Sequence, residues 1–383
     1  MFNALTKFIR HQYQTDDFIP LHAPVFAGRE QDYVSETISS TFVSSVGAFV
    51  DQFEIGVATY TGSARAVAVM NGTAALHMGL LLVGVDRDSC VITQPLTFVA
   101  TCNAISYCGA EPIFVDVDRD TMGLSPIALE IWLTDNAAVD GGGVCRRKRD
   151  NKAIQACLPM HTFGHPVHLD RLMDVCARWA LPLVEDAAES FGSLYKGQQT
   201  GTFGQVGTIS FNGNKIITTG GGGIILANED IGTRAKHLTT TAKQPSTYEY
   251  VHDEVGYNYR MPNLNAALGC AQLEQLDQFI LAKRALAAQY EAFFVGGPLE
   301  FFSEPINCRS NYWLNAVICE DRLMRDALLA ETNGAGVATR PIWALMSRLP
   351  MYENADRGDL GTSEWLEARV VNLPSSVILE RSA

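Results

Sequence analysis

Lys215 is the only titratable side chain in the stretch from Ser210 to Gly223, Ser-Phe-Asn-Gly-Asn-Lys-Ile-Ile-Thr-Thr-Gly-Gly-Gly-Gly. Apolar runs flank it at 206–211 and 224–227 and read as strands, so the loop hangs between two rigid elements. A lysine held that way is a candidate amine nucleophile, and its alternative is a solvated loop lysine. Asp186 follows the apolar run Leu183-Val184 at a predicted strand end; it is either a turn or helix-capping aspartate or the partner of Lys215. A lysine that forms a Schiff base and an acid that keeps a pyridinium nitrogen protonated are the two groups a pyridoxal phosphate site requires.

Three more strand ends carry suitable groups. Asn71-Gly72-Thr73 follows the run at 64–70 and opens a helix, which offers free N–H groups and a hydroxyl to a phosphate; the alternative is a Thr73 N-cap. Ser210, five residues before Lys215, supplies a second hydroxyl. Phe98, after the strand at 90–93, is placed to stack on an aromatic ring or to fill a core. His161, after the strand at 154–160, lies at the same sheet edge, as a ring neighbour or a buried structural histidine.

These ends must be set by a sheet. Strands at 64–70, 90–93, 112–115, 154–160 and 182–185 alternate with helices at 73–83, 97–107 and 169–180. Short continuous apolar strands between helices predict a mostly parallel sheet covered on both faces, and ligands of such sheets bind beyond the carboxyl ends of the strands. Residues 1–24 read as an entry segment, kept extended over 18–26 by Pro20 and Pro24. Apolar positions spaced by four predict helices around Val34 to Phe42 and Phe49 to Val57. After residue 228 the alternation fades. One long or two abutting helices at 264–294, a strand within 311–318 and a helix at 321–331 predict a smaller α+β unit. The expected division is 1–245 for the entry segment and large α/β domain and 246–383 for the small one. The Gly-rich basic stretch 140–152 reads as a solvated insertion.

Composition narrows the function. Of 383 residues 47% are hydrophobic and 19% charged, so a large core is affordable. A net charge of -13 argues against non-specific nucleic-acid binding, although a few placed donors still hold a small anion. Nine cysteines, an odd number with no Cys-x-x-Cys pair, point to a reduced, cytoplasmic protein without a disulfide framework or zinc site. Residues 1–10 lack the apolar core of a signal peptide, and no apolar run reaches membrane-spanning length. No metal and no membrane partner are expected.

Taken in order, Asn71-Gly72-Thr73-Ala74-Ala75-Leu76, Pro95-Leu96-Thr97-Phe98, Glu185-Asp186-Ala187-Ala188, Ser210-Phe211 with Lys215, and Gly256-Tyr257-Asn258-Tyr259-Arg260-Met261 resemble the DegT/DnrJ/EryC1/StrS aminotransferases. The resemblance runs from about Ile19 to Ser376. It implies the aspartate-aminotransferase-like fold, fold type I of the pyridoxal phosphate enzymes, and transfer of an amino group from glutamate to a keto sugar nucleotide. It implies Lys215 as the Schiff-base lysine and general base, and Asp186 on the pyridine nitrogen. Gly72, Thr73 and Ser210 would hold the phosphate, Phe98 would stack on the ring, and Glu189 would lie near the ring hydroxyl. Asn258 would reach the phosphate from the partner subunit of a homodimer with shared sites. Glu189 stands where many members have Gln or His. Phe42-Val43-Ser44-Ser45-Val46-Gly47 and Thr339-Arg340-Pro341-Ile342-Trp343 resemble the LegC-type subgroup. That likeness implies a UDP-4-keto-6-deoxy-N-acetylhexosamine substrate in legionaminic acid or bacillosamine-like pathways. Dehydratases of the family carry His at the lysine position, which Lys215 does not match. Arg260 and Arg340 are candidates for the diphosphate, and Trp343 or Tyr312 for the base or sugar. A 3-keto sugar nucleotide, a cyclitol ketone, and a non-catalytic cofactor-binding protein on the same fold are the alternatives. The Gly220–Gly223 run is expected to leave room for a bulky substrate.

Overall fold

The computed structural model describes residues 2–379. Seven strands form the body of the main sheet, to which Asp356–Arg357 and the hairpin of Ala137–Val139 and Cys145–Arg147 add short pairings. The seven are Arg65–Val69 (β1), Ser89–Thr93 (β2), Glu111–Phe114 (β3), Ala153–Leu158 (β4), Val184–Asp186 (β5), Val206–Ser210 (β6) and Gly223–Ala227 (β7). The order is β1-β7-β6-β5-β4-β2-β3, with β4 and β5 joined by the parallel bridges Cys157–Leu183 and Met160–Asp186. The other neighbouring pairs are parallel except those of β7, which runs antiparallel to β1 and β6. The connection 211–222 holds no helix to carry the chain across the sheet, so the strand after the Lys215 loop returns antiparallel.

Alternation along the strands splits the core. Val67 and Val69 of β1 join Leu76, Met78 and Ile225 under helices Gly72–Leu82 and Glu229–Thr239, while Ala66 and Ala68 face Phe53, Ile209 and Ile224 on the other side. On that side helix Ala48–Thr61 buries Phe49, Phe53 and Val57. Each contributes about 1.5–3 kcal/mol of apolar burial. Phe53 meets Phe211 edge-on at 5.1 Å, and Phe191 meets Phe211 at 5.5 Å. The residue that opens the lysine loop is thus anchored from two helical and loop neighbours.

Helix Asn263–Leu273 lies beyond the expected boundary at 245, yet Ala266 and Ala267 pack into the same cluster as Phe53 and Phe211. The stretch 264–294 is two helices, Asn263–Leu273 and Leu276–Phe294. The C-terminal unit holds an antiparallel sheet of Glu300–Phe301, Asn315–Ile318, Val370–Leu373 and Arg340–Pro341, in that order. Residues 3–13, expected in an entry segment of the large domain, form helix Asn3–Tyr13, whose Leu5 and Ile9 pack with Tyr290, Val317 and Val371 of the C-terminal unit. No described helix is long and apolar enough to cross a membrane.

The basic stretch differs from the solvated insertion expected. Ala137–Val139 and Cys145–Arg147 form a hairpin, and the Arg147 side chain, 2% exposed, binds Glu111 at 2.7 Å and Asp150 at 2.5 Å. Lys152 pairs with Glu111, Arg146 with Asp140 and Arg149 with Asp356. Internal carboxylates thus pair with Arg146, Arg147, Arg149 and Lys152, which lowers the free positive charge of the hairpin.

Candidate active site

A cavity of about 400 Å³ opens at the carboxyl ends of β1, β2, β4, β5 and β6. Asn71, Gly72, Thr73, Phe98, Met160, Asp186, Glu189, Ser210, Lys215, Trp313 and Trp343 all reach it.

Lys215 is held by its loop. Phe211 N–H donates to Gly222 O and Thr219 N–H to Phe211 O, which closes the loop at its base. Asn265 Nδ2 donates to Thr219 O at 2.7 Å. The Lys215 amine lies 3.6 Å from Glu189 Oε1 and 4.0 Å from the centre of the Trp313 ring. Trp313 is itself fixed, because its Nε1–H donates to Asn214 O at 2.7 Å. The amine therefore sits between a carboxylate and an aromatic face, a placement no solvated loop lysine needs.

Asp186 ends β5, 2% exposed. Thr101 Oγ1 donates to its Oδ2 at 2.8 Å and Ala188 N–H to its Oδ1 at 3.2 Å. Burial pushes its carboxyl above the usual range, while Thr101, Ala188 and the Lys215 charge pull it back. Such a carboxylate is ready for a cationic ring nitrogen that would complete its partners. Burial also pushes Glu189 up, to about 7, against the pull of Lys215 and of Phe163 N–H, which donates to Oε2 at 2.8 Å.

Helix Gly72–Leu82 starts at the cavity. Its N-cap is Asn71, whose Oδ1 accepts from Ala74 N–H at 2.8 Å, so Thr73 is the second helical residue rather than the cap. The Gly72 and Thr73 N–H groups have no acceptor within the helix and lie at the positive end of its dipole. Ser210 closes the opposite wall: a Cβ on Gly72 would stand 2.8 Å from Ser210 Cβ. The glycine run serves this same corner. Gly220 turns with φ +78, and a Cβ on Gly223 would stand 2.6 Å from Asn71 C and O. Beside the tight turn expected of the run, Gly223 lets β7 lie flush against the start of the helix. Orphan N–H groups, two hydroxyls, a buried carboxylate and an amine match the phosphate, ring nitrogen and aldehyde of pyridoxal phosphate in turn.

Phe98 is 49% exposed at the cavity mouth, 6.5 Å from Trp343. His161 is not in the cavity. Met160 faces it, so alternation turns His161 to the far side, where Nε2 donates to Glu185 Oε2 at 3.1 Å and Nδ1 accepts from Val167 N–H at 3.3 Å. Asn258 and Arg260 also lie outside. They follow the edge of β1 through the bridge Val69–Arg260, and Arg260 Nε and Nη2 bind Asn258 Oδ1 at 3.1 and 3.0 Å. Arg340 is exposed on the small sheet beside Asn333, and Tyr312 is buried with its hydroxyl accepting from Glu304 N–H. Sequence reasoning missed Trp313, which enters from the C-terminal unit with no local motif to mark it.

The sequence model of the DegT/DnrJ/EryC1/StrS aminotransferase family matches residues 25–383. EpsN of Bacillus subtilis (strain 168), whose name describes a pyridoxal phosphate-dependent aminotransferase, is 36% identical over 93% of this chain and 90% of its own. The GDP-perosamine synthase of Escherichia coli O157:H7 is 36% identical over 94% of this chain and 93% of its own. Among solved structures, the sugar aminotransferase CalS13 from Micromonospora echinospora superposes with a TM-score of 0.83 at 26% identity, over 95% of this chain and 96% of that one. With the lysine, the carboxylate and the phosphate corner assembled at one sheet edge, the chain belongs to the DegT/DnrJ/EryC1/StrS family and is a pyridoxal phosphate-dependent aminotransferase.

Proposed function

We propose that the enzyme moves an amino group from glutamate to the keto carbon of a sugar nucleotide, a UDP-4-keto-6-deoxy-N-acetylhexosamine of the LegC type. The observation that carries the sugar reading is the cavity mouth. Trp343 lines the same cavity as Lys215, with its ring 6.5 Å from that of Phe98, and an apolar ring face of this kind packs on sugar rings and bases. The names of the perosamine-synthase relatives favour a second reading, a GDP-linked sugar at the same site.

The cofactor, when bound, supplies the electron sink. Asp186 would keep the ring nitrogen protonated, Gly72, Thr73 and Ser210 would hold the phosphate, and Phe98 would cover the ring. Lys215 would take the proton from the substrate carbon and hold it on its amine. Asn258 and Arg260 complete the site of a second copy across a homodimer. Their place outside their own cavity supports this, as do Phe42 and Val46, 57% and 68% exposed in the loop that Asn263 ties down.

The test supplies UDP- and GDP-linked 3-keto and 4-keto sugars with glutamate and follows 2-oxoglutarate. Turnover with the UDP-4-keto sugar is the expected result, and turnover with the GDP-linked or 3-keto sugars alone overturns it. Lys215→Ala should lose the visible absorbance of the holoenzyme together with turnover.

A further inference from the structure

Two carboxylates reach the cavity near Lys215, and they are built differently. Asp186 takes hydrogen bonds from Thr101 and Ala188. Glu189, 3% exposed, takes one, from Phe163 N–H, and directs its second oxygen to the Lys215 amine at 3.6 Å. The donor is held in place at a cost. Phe163 has φ +57, a left-handed conformation that is strained for a side-chain-bearing residue. The next residue, Gly164, has φ +100, and a Cβ there would stand 1.9 Å from Asn311 Oδ1. Asn311 Nδ2 in turn donates to the Glu189 and Phe191 carbonyls at 2.9 Å, and Asn311 Oδ1 accepts from Trp313 N–H at 2.8 Å. One asparagine thus ties the main chain of Glu189 to the residue on the other side of the lysine amine. The charged groups acting on Glu189 are Lys215 from its loop and Asp186 from β5.

We propose that Glu189 is the proton partner of Lys215: the carboxylate takes a proton from the lysine ammonium, which leaves the free amine as base, and gives it back when that amine must act as acid later in the same half-reaction. An N–H bond breaks as an O–H bond forms, the pair stays neutral overall, and no further reactant is needed. The site favours the exchange by placing the two groups 3.6 Å apart and by burial, which raises the Glu189 carboxyl while the lysine charge opposes it. The proposal rests on Lys215 as the proton-moving amine of transamination.

Glu189→Gln keeps an oxygen for Phe163 N–H and removes the proton acceptor, so it separates positioning from exchange. In the holoenzyme we expect kcat to fall about 100-fold with KM within about threefold, and the pH limb near neutrality to vanish. An unchanged kcat and pH profile overturns the proposal. In the cofactor-free protein, the infrared band of the protonated carboxyl, taken as the difference between wild type and Glu189→Gln, should titrate near pH 7. It should move to higher pH in Lys215→Met, which removes the charge that lowers it. A band that Lys215→Met does not move also overturns the proposal, whatever substrate the enzyme takes. If transamination of every sugar fails while the band moves, the pair stands and the substrate reading falls.

Discussion

Replacing Gly223 with Ala tests the corner proposed to grip the phosphate. The added Cβ would stand 2.6 Å from the carbonyl carbon and oxygen of Asn71 and 2.9 Å from Gly72 N. Those are main-chain atoms of the N-cap and first residue of the helix, so no side chain can swing aside. Restoring ordinary contact requires β7 and the helix start to separate by roughly 1 Å, and overpacking of that kind costs about 1–3 kcal/mol. The same shift would move the Gly72 and Thr73 N–H groups away from the proposed phosphate position. Losing one charge-assisted hydrogen bond of about 1.5–3 kcal/mol weakens cofactor binding by about 10- to 100-fold. The assay titrates cofactor-free protein with pyridoxal phosphate, follows the visible band, and records thermal unfolding of the same samples. Gly213→Ala is the control, since a Cβ there meets nothing within 4 Å although it lies in the lysine loop. If Gly223→Ala binds the cofactor within about twofold of wild type, or if Gly213→Ala weakens it as much, the reasoning is refuted.

Thr101→Val removes a hydroxyl donor from buried Asp186. The Asp186 carboxyl then rises further, so the active carboxylate is lost at a higher pH. The acid limb of the kcat profile should move up and kcat should fall about tenfold or more, as read from pH-rate curves. Arg147→Met leaves Glu111 and Asp150, both lowered by their basic neighbours and both partly exposed, without the guanidinium. Urea unfolding at pH 7 should show a loss of about 2 kcal/mol, less than a fully buried pair would cost. A depressed carboxyl contributes stability above its unfolded pKa and loses it as pH falls through the folded value. The gap between variant and wild type should therefore close on acidification below about pH 4.

The strand ends were legible because β strands here are short apolar runs, and Asp186, Thr73, Ser210 and Lys215 sit within a few residues of them. Orientation was less so. Alternation sends Met160 and Asp186 into the cavity and pairs His161 with Glu185 behind it, which a motif read as a string does not convey. Trp313 was hidden because its neighbour Asn214 is 99 positions away in sequence. The Gly223 packing was hidden because its partner, Asn71, lies on a different strand end. Helix Asn3–Tyr13 carries the spacing Leu5, Ile9, but the stretch was read only as an entry segment, extended over 18–26, with no helix assigned. Its partners lie in the last strands of the chain.

That last arrangement bears on biosynthesis. Ala23 N–H donates to Ser376 Oγ, 353 residues later, and Phe2, Leu5 and Ile9 rest on Val317 and Val371. At ribosomal rates the first segment waits roughly 20–70 s for its docking site to be made. Until then the apolar face of that helix lacks part of its cover, a natural client for a chaperone that binds nascent chains. A premature stop before Val371 would keep Tyr290 and Val317 but remove Val371 and Leu373, so C-terminal truncation should leave the face partly uncovered and mark the protein for aggregation or proteolysis even though every residue of the cavity had been synthesised.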